Sequence, residues 1–185
     1  MNQNNKIKKI KYVKGDTIFL RTVKKTDATV NYVKWMNSKK INQFLESRFI
    51  KQDKKDLENY IKKMNKTPNV MFFAIIRKDN NKHIGNIKLG PIDWNHKFAE
   101  IGIMIGDRNS LGKGYASEAI KLISDVGFDY LKLHKIIAGA YENNIGSIKA
   151  FLKAGFFIDG IRYSHYFYKS TYVNHILFGK INKFR

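Results

Sequence analysis

The segment from Gly106 to Ala119, which reads GDRNSLGKGYASEA, constrains the fold more than any other stretch of this chain. An apolar run ending in Ile103-Met104-Ile105 precedes it, and Gly112-Lys113-Gly114 leads into a periodic amphipathic stretch. This pattern predicts a strand, a glycine-bearing loop and a helix in direct succession. The first N–H groups of such a helix lack internal partners and carry the positive end of its dipole, and glycines let a phosphate approach the backbone. The turn is therefore a candidate anion site.

Spacing distinguishes between the known kinds of phosphate loop. A Walker-type loop has four residues between its first glycine and Gly-Lys-Ser/Thr, whereas five separate Gly106 from Gly112, and a glycine follows Lys113. A dinucleotide-binding fingerprint would need a third glycine at the position of Ser117. Both kinds are disfavoured. An ordinary glycine-containing turn between a strand and a helix remains the alternative to phosphate binding.

The loop resembles the pyrophosphate loop of the GNAT superfamily of acetyl-CoA-dependent N-acetyltransferases. The pattern of that family is Arg or Gln, two residues, Gly, one residue, and Gly or Ala. In this chain it falls on Asn109, Gly112 and Gly114, so Asn109 departs from the Arg or Gln of the family. The resemblance implies that this loop binds the pyrophosphate of acetyl-CoA.

A second family signature occurs further along the chain. The signature consists of Asn, two residues, Ser-Ile, a helix and Gly-Phe. The residues of this chain that resemble it are Asn144, Ser147-Ile148 and Gly155-Phe156. The segments LRTVKKTDA and WMNSKKI also resemble the branch that contains ribosomal-protein, spermidine and amino-sugar acetyltransferases.

Hydrophobic periodicity predicts the element order β α α β β β α β α β β. Strands are predicted at 17–23, 70–77, 84–89, 98–105, 136–141, 156–168 and 172–180, with Gly90-Pro91 breaking the third. Helices are predicted from Thr26 or Asp27 to Asn37, from Asp53 to Thr67-Pro68, from Tyr115 to Tyr130, and from Asn143 or Asn144 to Gly155. This order is that of one mixed α/β domain over 1–185, in which about four helices flank a twisted mixed sheet of about seven strands. Residues 1–14 are expected to be a basic, partly flexible segment, and the order matches the GNAT fold across nearly the whole chain.

Composition narrows the class of protein. The chain has no cysteine, which excludes disulfides, thiolate catalysis and cysteine-based zinc sites. The N-terminus lacks the apolar core of a signal peptide, and no apolar run approaches the ~20 residues of a membrane span. We therefore expect a cytoplasmic protein. The net charge of +20 suits polyanionic partners such as nucleic acid or phosphorylated small molecules, although an AT-rich coding sequence would also produce this abundance of lysine.

The resemblance implies which residues contact acetyl-CoA, the expected acetyl donor. They lie on the strand before the loop, in the loop with the start of its helix, and on the helix of the second signature: Ile103, Met104, Ile105, Asn109, Ser110, Leu111, Gly112, Lys113, Gly114, Tyr115, Ala116, Asn144, Ser147 and Phe151. In the family this strand splays from its neighbour. A backbone N–H of Met104 or Ile105 would then stabilise the charge that develops on the thioester oxygen.

Acetyl transfer also requires a proton acceptor and a proton donor. The attacking amine must be neutral, so a carboxylate should take its proton, and Glu100 is the candidate because many relatives carry a catalytic carboxylate on this strand. Pairing of Glu100 with a lysine at the sheet margin is the alternative. The family commonly protonates the departing thiolate with a tyrosine four residues after the serine, where this chain has Phe151. Because phenylalanine has no proton to donate, water, Tyr141 or Ser147 would take over this role.

The acceptor side is less specified by the sequence. An aromatic face and an arginine suit a nucleotide base or a diphosphate. The candidates on the first helix and the following loop are Trp35, Asn37, Phe44 and Arg48. His165 and His175 lie among tyrosines on the last two strands and could line the acceptor pocket, although cross-strand aromatic packing also explains them. None of the five histidines has metal-ligand spacing, so no metal is expected.

The expected function is acetyl transfer to a primary amine by direct attack in a ternary complex. A nucleotide-linked amino sugar is the favoured acceptor, because the WMNSKKINQFLESRF stretch resembles the amino-sugar branch and a basic protein suits a diphosphate. A protein N-terminus or a polyamine is the alternative, but a +20 protein repels a polycation unless an acidic pocket offsets the charge. A basic nucleic-acid-binding module without catalysis is a remote alternative, since no RNP or OB pattern occurs. A homodimer is one assembly that the chain could form.

Overall fold

A single sheet of eight strands organises the computed structural model, which describes Ile7 and residues 9–183. The strands are β1 Tyr12–Lys14, β2 Ile18–Thr22, β3 Met71–Arg77, β4 His83–Asp93, β5 Phe98–Ile105, β6 Lys135–Tyr141, β7 Phe157–Tyr168 and β8 Thr171–Ile181. The helices are α1 Val30–Asn37, α2 Lys39–Asn42, α3 Lys54–Lys66, α4 Tyr115–Asp125 and α5 Ile145–Lys153. Short 3-10 turns occupy Lys25–Asp27, Glu46–Phe49 and Arg108–Ser110, and a π turn at Val126–Tyr130 extends α4. The spatial order of the strands is β1-β2-β3-β4-β5-β6-β8-β7.

The predicted mixed α/β architecture is confirmed, and Ile7 and residues 9–183 include a strand and a short helix that were not predicted. The additional strand is β1, whose three residues pair antiparallel with β2 and are too few to show a period. The additional helix is α2, which has four residues. Of the N-terminal segment 1–14, residues 1–6 and Lys8 lie outside the described residues.

Two predicted boundaries were wrong. The first long helix begins after Thr29, whose hydroxyl accepts a hydrogen bond from the N–H of Tyr32 at 3.3 Å. Asp27, one of the predicted caps, instead accepts two hydrogen bonds from the guanidinium of Arg21, each 2.7 Å long. Strand β4 does not end at Gly90-Pro91 but continues to Asp93, because a shift in register between Leu89 and Ile92 accommodates the irregular step.

Helices cover the two faces of the sheet unequally. Helices α4 and α5 pack on one face, where a large apolar core includes Leu20, Phe73, Ile120, Phe151 and Phe178. Helices α1 and α3 pack on the other face, where a smaller core includes Tyr32, Leu57 and Ile61. On this second face two residues of β5, Glu100 and Gly102, are exposed. We call the part of this face formed by β5, β6 and β8 the open face.

The parallel strands β5 and β6 separate part of the way along. Their register extends from Phe98 opposite Lys135 to Ile101 opposite Ala138. Beyond that point β5 stays paired with β4 as far as Ile105, and β6 stays paired with β8 as far as Tyr141. A gap therefore opens between Gly102–Ile105 and Gly139–Tyr141, in agreement with the splay that the resemblance implied.

Candidate active site

The register of β4 and β5 determines which backbone amides face this gap. The N–H of Gly106 donates to the carbonyl of Ile84 at 2.8 Å, which continues the register that pairs Met104 with Asn86. Hydrogen-bonded and non-hydrogen-bonded pairs alternate along an antiparallel ladder. The N–H of Met104 therefore points to β4, and the N–H groups of Ile103 and Ile105 point towards β6. Of the two amides considered from the sequence, that of Ile105 faces the gap.

The glycine loop lies between the end of β5 and the start of α4. Gly112 and Gly114 have φ angles of +73° and +85°, a region that side chains with a β-carbon rarely adopt. A β-carbon at Gly112 would meet no described atom within 4 Å, so space for a ligand adjoins the loop. Gly114 is the N-cap of α4 and supplies no side-chain cap to the first N–H groups of the helix. These features fit a phosphate group.

Side chains behind the loop hold its shape. Ser110 is buried and its hydroxyl donates to a carboxylate oxygen of Asp107 at 2.5 Å, while the ammonium of Lys82 lies 3.0 Å from the other oxygen. Burial alone would raise the pKa of Asp107, but these two contacts hold it below its usual value. The side chain of Ser110 therefore supports the loop from within. Asn109, Leu111 and Lys113 are exposed, and Tyr115 and Ala116 are half-buried at the start of α4.

Lys153, a helix residue beside the glycine loop, was missed by sequence reasoning. It lies in the last turn of α5, and its ammonium is 4.0 Å from the position that a β-carbon of Gly114 would occupy. The only local signal was a lysine near the end of a helix, which is commonly explained by the helix dipole. Its position places a positive charge beside the glycine loop.

The second signature builds helix α5 at the wide end of the gap. The side-chain oxygen of Asn144 accepts a hydrogen bond from the N–H of Ser147 at 3.2 Å and so caps the helix. Ser147 is half-buried in the first turn. Phe151 is buried in the core, where its ring stacks on Phe178 at 5.3 Å between centroids. Phe151 thus serves mainly as a core residue below the site.

Tyr141, at the end of β6, has its hydroxyl committed to another side chain. The hydroxyl donates to a carboxylate oxygen of Glu46 at 2.7 Å. Burial and this carboxylate raise the pKa of Tyr141 to about 12. A hydroxyl that holds its proton this firmly, and directs it at Glu46, is poorly suited to protonate a departing thiolate.

Aromatic rings from strand β7 and from the segment after α2 surround Tyr141. Its ring stacks on Tyr166 of β7 at 4.2 Å, and Phe44 lies 5.7 Å from it and 5.2 Å from Tyr168. We call Phe44, Tyr141, Tyr166 and Tyr168 the aromatic cluster. The guanidinium of Arg48 lies 5.2 Å from the centre of the Tyr141 ring and 3.5 Å from Glu46. Phe44 and Arg48 were candidates from the sequence, and Tyr166 and Tyr168 are among the tyrosines noted on the last two strands, whereas Glu46 was missed.

The two predicted histidines lie next to this cluster. The rings of His165 and His175 stack at 5.5 Å, and Tyr166 is 4.8 Å from His175. His175 is only 9% exposed. Burial, together with the nearby charges of Arg162 and His165, lowers the pKa of His175.

Trp35 and Asn37 have other contacts. The indole of Trp35 packs against the backbone of Gly106 and lies 5.2 Å from the ring of His83. The amide of Asn37 donates to the carbonyls of Val33 and Gln52 at 2.8 and 2.7 Å. These contacts connect α1 to its surroundings and give neither residue a place in the aromatic cluster.

The described residues contain no group of three or more His, Asp or Glu side chains that could hold a metal ion. Along the same part of the chain, no helix combines the length and the apolar character needed to cross a membrane.

Comparison with known proteins agrees with this geometry. A family model described as an acetyltransferase (GNAT) domain matches residues 17–157. A probable N-acetyltransferase of Bacillus subtilis, YjcK, is 32% identical over 158 residues, which cover 80% of this chain and 85% of that protein. A GNAT-family acetyltransferase of Bacillus anthracis superposes with a TM-score of 0.80 at 20% identity, covering 93% of this chain and 99% of that one. A spermidine N-acetyltransferase of Vibrio cholerae, solved in complex with CoA and spermine, superposes with a TM-score of 0.79 at 22% identity, covering 90% and 96%.

Proposed function

Because the chain belongs to the GNAT family of acetyl-CoA-dependent N-acetyltransferases, we propose that it acetylates a primary amine of a small cationic acceptor, such as a polyamine. The observation that carries this proposal is the contact of Glu46 with Tyr141, 2.7 Å long, inside the aromatic cluster. A carboxylate beside aromatic faces is a site that attracts an ammonium group.

The donor side of the site fits acetyl-CoA. The open space at Gly112, the positive φ angles of the loop and the uncapped start of α4 suit a pyrophosphate. When bound, acetyl-CoA supplies an acetyl group that is already activated as a thioester. The edge of β5 from Ile103 to Ile105 would hold the pantetheine, and the N–H of Ile105 would donate a hydrogen bond to the acetyl oxygen.

Three carboxylates near Tyr141 favour a cation on the acceptor side. Glu46 contacts its hydroxyl, and Glu142 follows it in the chain and accepts hydrogen bonds from Asn174 at 2.7 and 2.8 Å. Glu100 lies on the open face and acts electrostatically on Tyr166, which stacks on Tyr141. Arg48 beside Glu46 and Arg162 near Tyr166 leave these carboxylates in excess by one charge, so an ammonium group meets less repulsion here than over the rest of a +20 protein. Binding of spermine to the Vibrio cholerae enzyme, which shares the fold, supports the same acceptor class.

A nucleotide-linked amino sugar, which the sequence favoured, is less well supported. Its diphosphate would need free positive charge, but the guanidinium of Arg48 lies 3.5 Å from Glu46 and donates to the carbonyl of Leu45 at 3.0 Å. Glu46 and Glu100 would in addition repel a diphosphate. We therefore place the polyamine first and retain the amino sugar as the acceptor to be tested against it.

Glu100 is the proposed acceptor of the first proton. An alkyl ammonium must lose one proton before its nitrogen can attack, and the exposed carboxylate of Glu100 can pass that proton to solvent. Its position on β5, in the paired region just before the gap that opens past Ile101, supports this role.

Thiol release from acetyl-CoA tests the proposal. The absence of cysteine from the chain means that a thiol reagent gives no background from the protein. We expect turnover with spermidine and spermine. Glu46→Gln should raise the KM for these acceptors by about tenfold. The control is Glu58→Gln on α3, which should leave the KM unchanged, because the carboxylate of Glu58 pairs with Lys25 at 3.1 Å. Turnover with nucleotide-linked amino sugars and none with polyamines would reject the proposed acceptor.

A further inference from the structure

The imidazole of His175 lies where β5 and β6 separate. Gly139 is the first residue of β6 beyond the paired region, and continuation of the register places it opposite Gly102. A β-carbon at Gly139 would overlap Nε2 of His175, so the imidazole occupies the space that a side chain there would fill. Nε2 therefore lies over Gly139 on the open face, at the point where β6 leaves β5.

Neighbouring rings hold this imidazole in place, but one of its nitrogens has no hydrogen-bond partner among the described residues. This nitrogen is Nδ1, and it is buried. The rings of Tyr166 and His165 enclose it from β7 at 4.8 and 5.5 Å. A buried, unpaired ring nitrogen costs free energy and calls for an explanation, of which a catalytic role is one.

Two of the side chains considered as proton donors to the departing sulfur are poorly suited to that role. Phe151 stands where the family commonly has a tyrosine, and it is buried against Phe178. The hydroxyl of Tyr141 donates to Glu46. His175 is a buried titratable group close to the gap, and no role in the reaction has yet been given to it.

We propose that Nε2 of His175 accepts the proton that the amine nitrogen loses as it bonds to the acetyl carbon, and returns this proton to sulfur as the carbon–sulfur bond breaks. The proton count balances, because the neutral amine loses one proton, sulfur gains one, and the imidazole ends in its starting form. The inference rests on the proposed acetyl transfer. It is separate from the role of Glu100, which removes the earlier proton of the ammonium group.

The surroundings of His175 favour its neutral form at pH 7. The titratable and charged groups that face it are Arg162, His165 and Tyr166 on β7, Tyr141 on β6 and Glu46 before α3. Burial has the largest effect on its pKa; Arg162 and His165 act in the same direction and Glu46 opposes them. The pKa of His175 therefore lies below its ordinary value of 6.5. A neutral imidazole is the form that can accept a proton.

His175→Asn tests the proposal, with His134→Asn as the matched control. His134 is exposed and lies just before β6, away from the gap. We expect His175→Asn to lower kcat by about a hundredfold and His134→Asn to leave it within a factor of two. The affinity for CoA, measured by calorimetry, should be the same in both variants. A lower kcat with unchanged affinity shows that the reaction is impaired while the folded binding site is intact.

The pH dependence of kcat distinguishes proton transfer by His175 from a purely structural role. The ratio of the wild-type kcat to that of His175→Asn should fall as the pH drops below the pKa of His175, because the wild type then loses its neutral imidazole. Ionisation of the acceptor is common to both proteins and cancels in the ratio. An NMR titration of the His175 ring in the free wild-type protein should give a pKa below 6.5 that matches this midpoint.

A ratio that stays constant with pH would overturn the proposal, as would a His175→Asn variant that keeps more than a third of the wild-type kcat. If His175→Asn fails to bind CoA, the acid side of the wild-type kcat profile decides, where the alkylamine no longer changes its ionisation: the absence of a fall within one pH unit of the ring pKa rejects the role. A wild type without turnover on any amine would instead reject the proposed function, so the two failures are distinguishable.

Discussion

The carboxylate of Glu118 is bound to Thr17 through both of its oxygens. One oxygen lies 3.0 Å from the backbone nitrogen of Thr17, and the other accepts a hydrogen bond from the threonine hydroxyl. The N–H groups of Asp16 and Ile18 also donate to the first oxygen, at 2.7 and 3.3 Å. A glutamate in the first turn of α4 therefore fixes the turn between β1 and β2. This residue of the GYASEA segment supports the fold rather than the anion site.

We predict that Glu118→Gln lowers the free energy of unfolding by about 1–2 kcal/mol at pH 7, a value reduced from the sum of several charged hydrogen bonds because the group is partly solvated. Burial would raise the pKa of Glu118, but the hydrogen bonds from Thr17, Ile18 and Asp16 lower it below its ordinary value of 4.5. A lowered folded-state pKa means that the stabilisation is present above pH 4.5 and is lost as the pH falls through the folded value.

Urea unfolding at several pH values measures this effect. The difference between wild type and Glu118→Gln should shrink steadily below pH 4.5. Glu58→Gln, which removes a surface ion pair with Lys25, should cost less than about 0.5 kcal/mol and serves as the control. A cost for Glu118→Gln that is independent of pH would show that its charge is not responsible.

Gly112→Val should weaken the binding of CoA by about tenfold, because a β-branched residue at a φ of +73° costs about 1–2 kcal/mol and its side chain fills the space next to the loop. Calorimetric titration with CoA measures the change. Gly160→Ala is the control, since a β-carbon there would have its nearest contact at 3.7 Å, with Leu177. Unchanged affinity in Gly112→Val would reject the assignment of the loop to the pyrophosphate.

Lys153→Ala should weaken CoA binding by about threefold to fivefold at low salt, the size expected of an exposed charge next to a phosphate. Lys62→Ala, on the exposed face of α3, should have no effect. The loss should diminish as salt is added, because salt screens exposed charges. A loss of equal size for pantetheine, which has no pyrophosphate, would show that Lys153 does not act on the phosphates.

The elements with strong periodicity could be predicted from the sequence. The apolar run of β3 and the stripe of α4 identify their elements because each pattern reflects burial of the element itself. The cap at Thr29 was missed because Asp27 is equally suited to capping, and only the folded position of Arg21 shows that its carboxylate is already bound.

Residues on the acceptor side were harder to predict for a physical reason. Glu46 and Tyr141 are 95 positions apart and meet only because α2 and the following turn fold over the end of β6. No local pattern records such a contact. The same limit applies to Trp35: its aromatic character suggested a ligand site, and only the fold shows that its ring also packs against Gly106.

The contact of Trp35 with Gly106 leads to the last prediction. A β-carbon at Gly106 would overlap the indole near its point of attachment, where the ring cannot simply rotate away. Gly106→Ala should therefore lower the free energy of unfolding by about 1–3 kcal/mol through overpacking. In a Trp35→Leu background, where the ring is absent, the same change should cost less than half as much, and a double-mutant cycle in urea measures this coupling. Equal costs in the two backgrounds would mean that Gly106 is required for its backbone and not for the space that it leaves to Trp35.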